Sequence, residues 1–177
     1  MKEKTNFFTE KHKFLHIAPE YCFIEIFKNM DNLEYITGDL ISPWADVKMD
    51  VHDIPFDDNS FNVVICNHVL EHVEDSQKVM TEFFRVMKPG GWGIFQVPID
   101  NNNPITIEDK SVTSAKEREK LYWQSDHLRL FGRDYGKRLS EAGFKVTESD
   151  FINEIDPELV ERYALPKNEL VYFCEKI

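Results

Sequence analysis

FNVVICNHVLEHVEDSQKVMTEFFRVMKPGGWGIFQVP, residues Phe61–Pro98, decides the fold. The opening run Phe61–Cys66 is short, branched and uncharged, which suits a strand buried on both faces. Val79, Met80, Phe83, Phe84 and Met87 then recur at helical spacing and predict one apolar helix face. Asp75 or Ser76 supplies the N-cap, and Lys88-Pro89-Gly90-Gly91 ends the helix. Trp92–Val97 reads as a second strand, stopped by Pro98. A strand, a crossover helix and a strand imply a parallel pair with a right-handed connection.

Around this unit several short signatures follow in order. Ile54-Pro55-Phe56 precedes a polar turn, and Phe61 opens the strand. Leu70-Glu71-His72 follows that strand, Glu82-x-x-Arg85-Val86 lies in the helix, and Lys88-Pro89-Gly90-Gly91 precedes the next strand. In this combination the chain resembles the class I S-adenosylmethionine-dependent methyltransferases (the type 11-like group) from about Phe14 to Phe151. The resemblance implies an α/β fold, a Rossmann-like, doubly wound, mostly parallel seven-stranded sheet with helices on both faces. It also implies S-adenosyl-L-methionine as cofactor and methyl transfer as the reaction.

Bulk properties bound the alternatives. A chain of 177 residues favours a single methyltransferase-like domain, and 42% hydrophobic with 13% aromatic residues is a globular composition. A net charge of −11 argues against nucleic acid as a partner, and the acidity reads foremost as solubility. Cys22, Cys66 and Cys174 form no C-x-x-C and read as reduced, buried thiols of a cytoplasmic protein. The N-terminus resembles neither signal peptide nor anchor, and no run approaches the ~20 apolar residues of a membrane span. Oligomeric state is not legible.

Taken from the start, Met1–Lys13 reads as a frayed or helical lead-in. Strand one is Phe14–Ile17. In the family it carries an acid and enters a glycine-rich loop; here His16 occupies the acid's place, and Ala18, Pro19 and Glu20 occupy the loop. Pro19 removes a backbone donor. Glu20 can supply the missing charge to the cationic cofactor, or it can be a solvated acid of the next helix's first turn. Helix one spans about Tyr21–Met30 and strand two Leu33–Thr37. Asp39 beyond it is the candidate for the ribose hydroxyls, with a self-satisfied turn aspartate as the alternative. Strand three is about Ala45–Met49. The resemblance places Asp50 and Val51 at the adenine, while Ile54 and Phe56 either wall it or plug the core.

Asn67 and His68 end strand four, where donor and acceptor should meet. Asn67 is a cofactor ligand or a strand-end cap. His68 is a candidate catalytic base or a neutral pocket-lining histidine. His68-Val69-Leu70-Glu71-His72 also fits the H-x-x-E-H zinc pattern of inverted metalloproteases. That pattern needs a continuous helix, and here it begins at a strand end, so a zinc hydrolase ranks behind and no metal is expected.

Residues 100–126 are the least family-like segment. Ser114-Ala115-Lys116-Glu117 is a capping box for a helix through about Trp123. The segment is either a lid over a small-molecule acceptor, a sugar or metabolite, or a mobile insertion with its aromatics in the core. Trp123 and Arg129 are candidate acceptor contacts and His127 a second candidate catalytic residue; His127 and Arg129 can instead hold the segment by ion pairs. Helix five spans about Arg133–Ala142, ended by Gly143. Strand six is Phe144–Phe151, Asp156-Pro157 starts a short turn or helix, and strand seven is Leu170–Glu175, antiparallel to strand six by resemblance. A non-catalytic binding module on the same fold is the rival class, favoured by the Ala18-Pro19 loop.

Overall fold

The computed structural model describes residues 4–166 and 168–177 of the chain. In chain order the elements are β1 (His12–Ile17), α1 (Tyr21–Lys28), β2 (Leu33–Asp39), β3 (Val47–Lys48), β4 (Phe61–Asn67), α2 (Ser76–Val86) and β5 (Met87–Gln96). They continue with α3 (Ala115–Tyr122), α4 (Tyr135–Glu141), β6 (Lys145–Ser149), a 3-10 turn (Phe151–Glu154), α5 (Pro157–Arg162) and β7 (Val171–Glu175). The seven strands form one sheet in the order β3-β2-β1-β4-β5-β7-β6. Neighbours from β3 to β5 are parallel, and β7 is antiparallel to both β5 and β6.

Alternation along the central strands builds two cores. Leu15, Ile17, Val64 and Cys66 face α2 and its partners, with Val79, Met80, Phe83 and Val86 packed over them. Phe14, Val63 and Ile65 face the other way, onto Phe27 and Trp92. The Asp75 carboxylate caps α2 by accepting from the Lys78 N–H at 2.9 Å. Glu82 and Arg85 then fasten the preceding loop to α2. Arg85 donates to the carbonyls of Ile54 and Phe56, both at 2.8 Å, and Glu82 accepts from the Ile54 N–H.

Several boundaries differ from expectation. The lead-in is anchored: among the described residues Phe7 is fully buried and packs edge-on against Phe14, Phe27 and Trp92. β3 keeps only two residues because the Asp46 carboxylate is drawn aside to the Thr37 backbone and hydroxyl. β5 starts at Met87, and Lys88-Pro89-Gly90-Gly91 forms its irregular first half rather than a plain helix stop, with the β4 register shifting between Phe61 and Val63. Gly91 is required there, since a Cβ would lie 2.8 and 2.9 Å from the backbone oxygens of Lys88 and Asn62. His127 and Arg129 lie outside any strand. Cys22 is exposed, whereas Cys66 and Cys174 are buried as expected. Among the described residues no helix is long and apolar enough to cross a membrane.

Candidate active site

The strand order reverses between β1 and β4, which opens a crevice beyond their carboxyl ends. A cavity of about 490 Å³ lies there, lined by Ile17, Ala18, Asp39, Asp50, Val51, His68 and His72 among others. Ala18 adopts φ +48°, the left-handed geometry that a glycine would take without strain, and its N–H donates to the Gly38 carbonyl at 2.8 Å. The turn geometry is therefore retained although the glycines are gone.

Behind the turn, His16 is buried and its ring nitrogens contact the Tyr35 hydroxyl at 2.9 Å and Glu20 Oε2 at 2.7 Å. Glu20 Oε1 accepts from the Asn67 amide at 2.7 Å. Burial works against the Glu20 anion, but the His16 and Asn67 hydrogen bonds outweigh it and hold the carboxyl down at about 2. Glu20 stands at the N-cap position of α1, partly exposed, but its side chain makes no cap bond. The Asn67 carbonyl oxygen is buried and has no donor among the described residues. His16, in the place the resemblance gives to an acid on β1, thus pairs with Glu20 across the turn.

Asp39 Oδ1 accepts the N–H groups of Ile41 and Ser42, both at 2.7 Å, and Oδ2 receives no hydrogen bond among the described residues. Asp50 accepts from the backbone and the ring of His52; these bonds lower its pKa, against a small desolvation cost. Both acids and Val51 line the cleft.

His68 takes φ +55° as the chain leaves β4, with its imidazole largely exposed. Its Nδ1 lies 3.4 Å from Glu71 Oε1, and that carboxylate raises its pKa despite partial burial. His68 also lines a second cavity of about 370 Å³, walled by Val97, Ile99, Trp123, Leu170 and Tyr172, with Asn101, Asn168 and Glu169 as polar groups. It is thus the one predicted site residue that borders both hollows. Residues 68–74 form turns and bends, so the helix that the metalloprotease pattern requires is absent there.

Trp123 borders the second cavity from the left-handed C-cap of α3. Arg129 does not reach either hollow. It is 1% exposed, and its guanidinium donates to the carbonyls of Leu70, Val73 and Glu74 and pairs with Glu108 at 2.9 Å. It locks the turn after β4 rather than presenting a free anion hook. His127 is equally buried, with Nδ1 2.8 Å from the Tyr122 carbonyl. Tyr172, Glu169 and Asn101 escaped sequence reading because the fold alone brings their segments beside His68.

An open α/β sheet with acids at the ends of two successive strands, facing a crevice at its switch point, defines a nucleotide-cofactor-binding class. Residues 19–95 match the family model described as methyltransferase domain. Demethylmenaquinone methyltransferase of Staphylococcus carnosus is 28% identical over 134 residues, covering 68% of this chain and 51% of that protein. The chain therefore spans about half the length of that relative. Among solved structures, Burkholderia thailandensis 1,6-didemethyltoxoflavin-N1-methyltransferase, with its substrate and S-adenosylhomocysteine bound, superposes with TM-score 0.64 at 13% identity. The match covers 96% of this chain and 73% of that one. A chain of the complex between the Haloferax volcanii Trm112 methyltransferase activator and a methyltransferase gives 0.61 at 17%, covering 94% and 83%. Identities this low speak for the fold alone. The sequence match thus gives residues 19–95 a methyltransferase domain, and the solved structures share its Rossmann-like fold.

Proposed function

We propose that this chain transfers a methyl group from S-adenosylmethionine to a small-molecule acceptor held in the cavity beside Trp123. One observation carries the reading: two cavities of ligand size meet at His68, one lined by strand-end acids and the other by aromatics. The residues present suit the cofactor. Asp39 offers a free carboxylate oxygen for a diol, Asp50 and Val51 offer an acid and a backbone group for the base, and apolar Ile17, Met49 and Val69 supply walls. Glu20 stays anionic at neutral pH behind Asn67, whose carbonyl oxygen lacks a donor, so the cationic end of the cofactor has a matching environment. When bound, S-adenosylmethionine supplies an electrophilic methyl on a sulfonium.

The protein's own contribution is placement. His68 orients the acceptor's nucleophile at the junction, Trp123 and Tyr172 line its apolar part, and Glu169, Asn101 and Asn168 set its polar edge. Such a lining favours a flat, partly apolar metabolite over a sugar. The segment from Asp100 to Asp126 acts as a cover rather than a loose insertion, because Tyr122 is fully buried while its neighbour Trp123 stays half exposed at the cavity. Neither nucleic acid nor a membrane is needed as partner.

A non-catalytic binding module is the second reading, favoured by Pro19, which deletes one donor from the turn. Calorimetric titration with S-adenosylmethionine and S-adenosylhomocysteine, followed by methyl release across an aromatic-acceptor panel, separates the two. Binding with turnover, lost at least tenfold in His68→Ala, is expected. Binding with no turnover on any acceptor selects the module; no binding at all removes both.

A further inference from the structure

Away from the donors already assigned, three side chains meet, two of them imidazoles packed edge-to-face with ring centroids 4.7 Å apart. Glu71, His72 and His127 bring one ligand atom each to within 4.8 Å of one another. Glu71 and His127 are each 1% exposed, and both Glu71 carboxylate oxygens and His127 Nε2 lack hydrogen-bond partners among the described residues. The Arg129 Nη atoms are engaged by three carbonyls and Glu108, while its buried Nε likewise has no partner among the described residues. His68 approaches Glu71 only at a long 3.4 Å.

The tautomers are readable. His127 Nδ1 sits 2.8 Å from a carbonyl oxygen, which can only accept, so Nδ1 carries a hydrogen and Nε2 is the atom left to ligate. His72 Nδ1 lies 3.3 Å from Asp126 Oδ2, which favours the hydrogen on that nitrogen too. Carbonyl or carboxylate support of one ring nitrogen is the arrangement that metal-bound histidines use. Two buried carboxylate oxygens and a buried imidazole nitrogen that make no hydrogen bond among the described residues are costly, with only His68 Nδ1 near at 3.4 Å, and a cation among them would relieve that cost.

We infer that Glu71, His72 and His127 bind a first-row divalent cation, zinc foremost, which ties the turn after β4 to the segment following α3. Two imidazoles and one carboxylate match zinc's three-ligand sites with an open fourth position, and His72 already lines the cofactor cleft. Ligands ~2.1 Å from zinc stand about 3.4 Å apart, so the side chains close by up to about 1.4 Å on binding. The half-exposed His72, on a turn outside any helix, can move that far. The site differs from the H-x-x-E-H pattern, because His127 from a distant segment replaces His68.

The test uses full-length protein without a histidine tag, stripped with chelator and then titrated with zinc, and separately with cobalt. Close to one ion per chain, a midpoint rise of about 5–10 °C at saturating zinc, and a visible tetrahedral cobalt band are expected. Glu71→Gln and His127→Gln should abolish all three. Should either fail to fold, His72→Gln, on the more exposed ligand, must weaken zinc binding at least tenfold. No uptake by the wild type, or unchanged uptake in the variants, overturns the site. No cofactor or acceptor is present in any arm, so the result is independent of methyl transfer.

Discussion

Glu20 is held by two hydrogen bonds, from His16 and from Asn67, in a place where the family resemblance leads one to expect a glycine. Its depressed pKa fixes a sign. The group releases its proton more readily when folded than when unfolded, so it stabilises the fold at pH values above its ordinary 4.5. That contribution disappears as pH falls from there toward about 2. Denaturant titration should therefore show Glu20→Gln less stable than the wild type at pH 7 and the gap closing near pH 2. A gap that widens in acid contradicts the assignment. If the network faces the cofactor's ammonium, as proposed, the same substitution should weaken S-adenosylhomocysteine binding about tenfold. Equal affinity in calorimetry would make the Glu20–His16–Asn67 network purely structural.

At the scale of elements, α2 and the strands it joins were legible because local chemistry and burial agree. The predicted face was recovered at Val79, Met80 and Phe83, while Phe84 turned out half-buried, edge-on against Phe144 at 5.2 Å. The loop before β4 was legible only as a signature. What the signature does is visible in Arg85, which joins Glu82, Asp58 and two carbonyls of residues 54 and 56. Arg85→Ala should cost about 2 kcal/mol in chemical denaturation, mainly from carbonyls left unpaired. Near-neutrality would show that the loop holds itself. Gly143 ends α4 at φ +113°, and an added Cβ would lie 3.0 Å from the Phe84 ring. Gly143→Ala should therefore lose about 1–3 kcal/mol through backbone strain, seen as a lower melting midpoint.

At the scale of the whole molecule, the two hollows were legible to different degrees. Asp39 closes β2, and Asp50 and Val51 come just after β3, so reading the strands locates them. The second cavity draws on the end of β5, the cap of α3 and the approach to β7, and no local pattern announces that these converge. Arg129 misled for the same reason: its alternation with His127 suggested a cleft-facing pair, but the fold buries it against carbonyls. The division of labour has a kinetic consequence. Trp123 borders the cavity proposed for the acceptor and not the cleft proposed for the cofactor, whereas Asp39 does the reverse. Trp123→Ala should raise the acceptor KM about tenfold, equivalent to about 1.4 kcal/mol, and leave S-adenosylhomocysteine affinity unchanged. Asp39→Asn should weaken that affinity by a similar factor, through loss of a charged acceptor, with little change in acceptor KM. Measuring both constants for both variants gives a crossed pattern if two separate hollows serve the two reactants. Parallel losses in both constants would mean that the cavities are one continuous site.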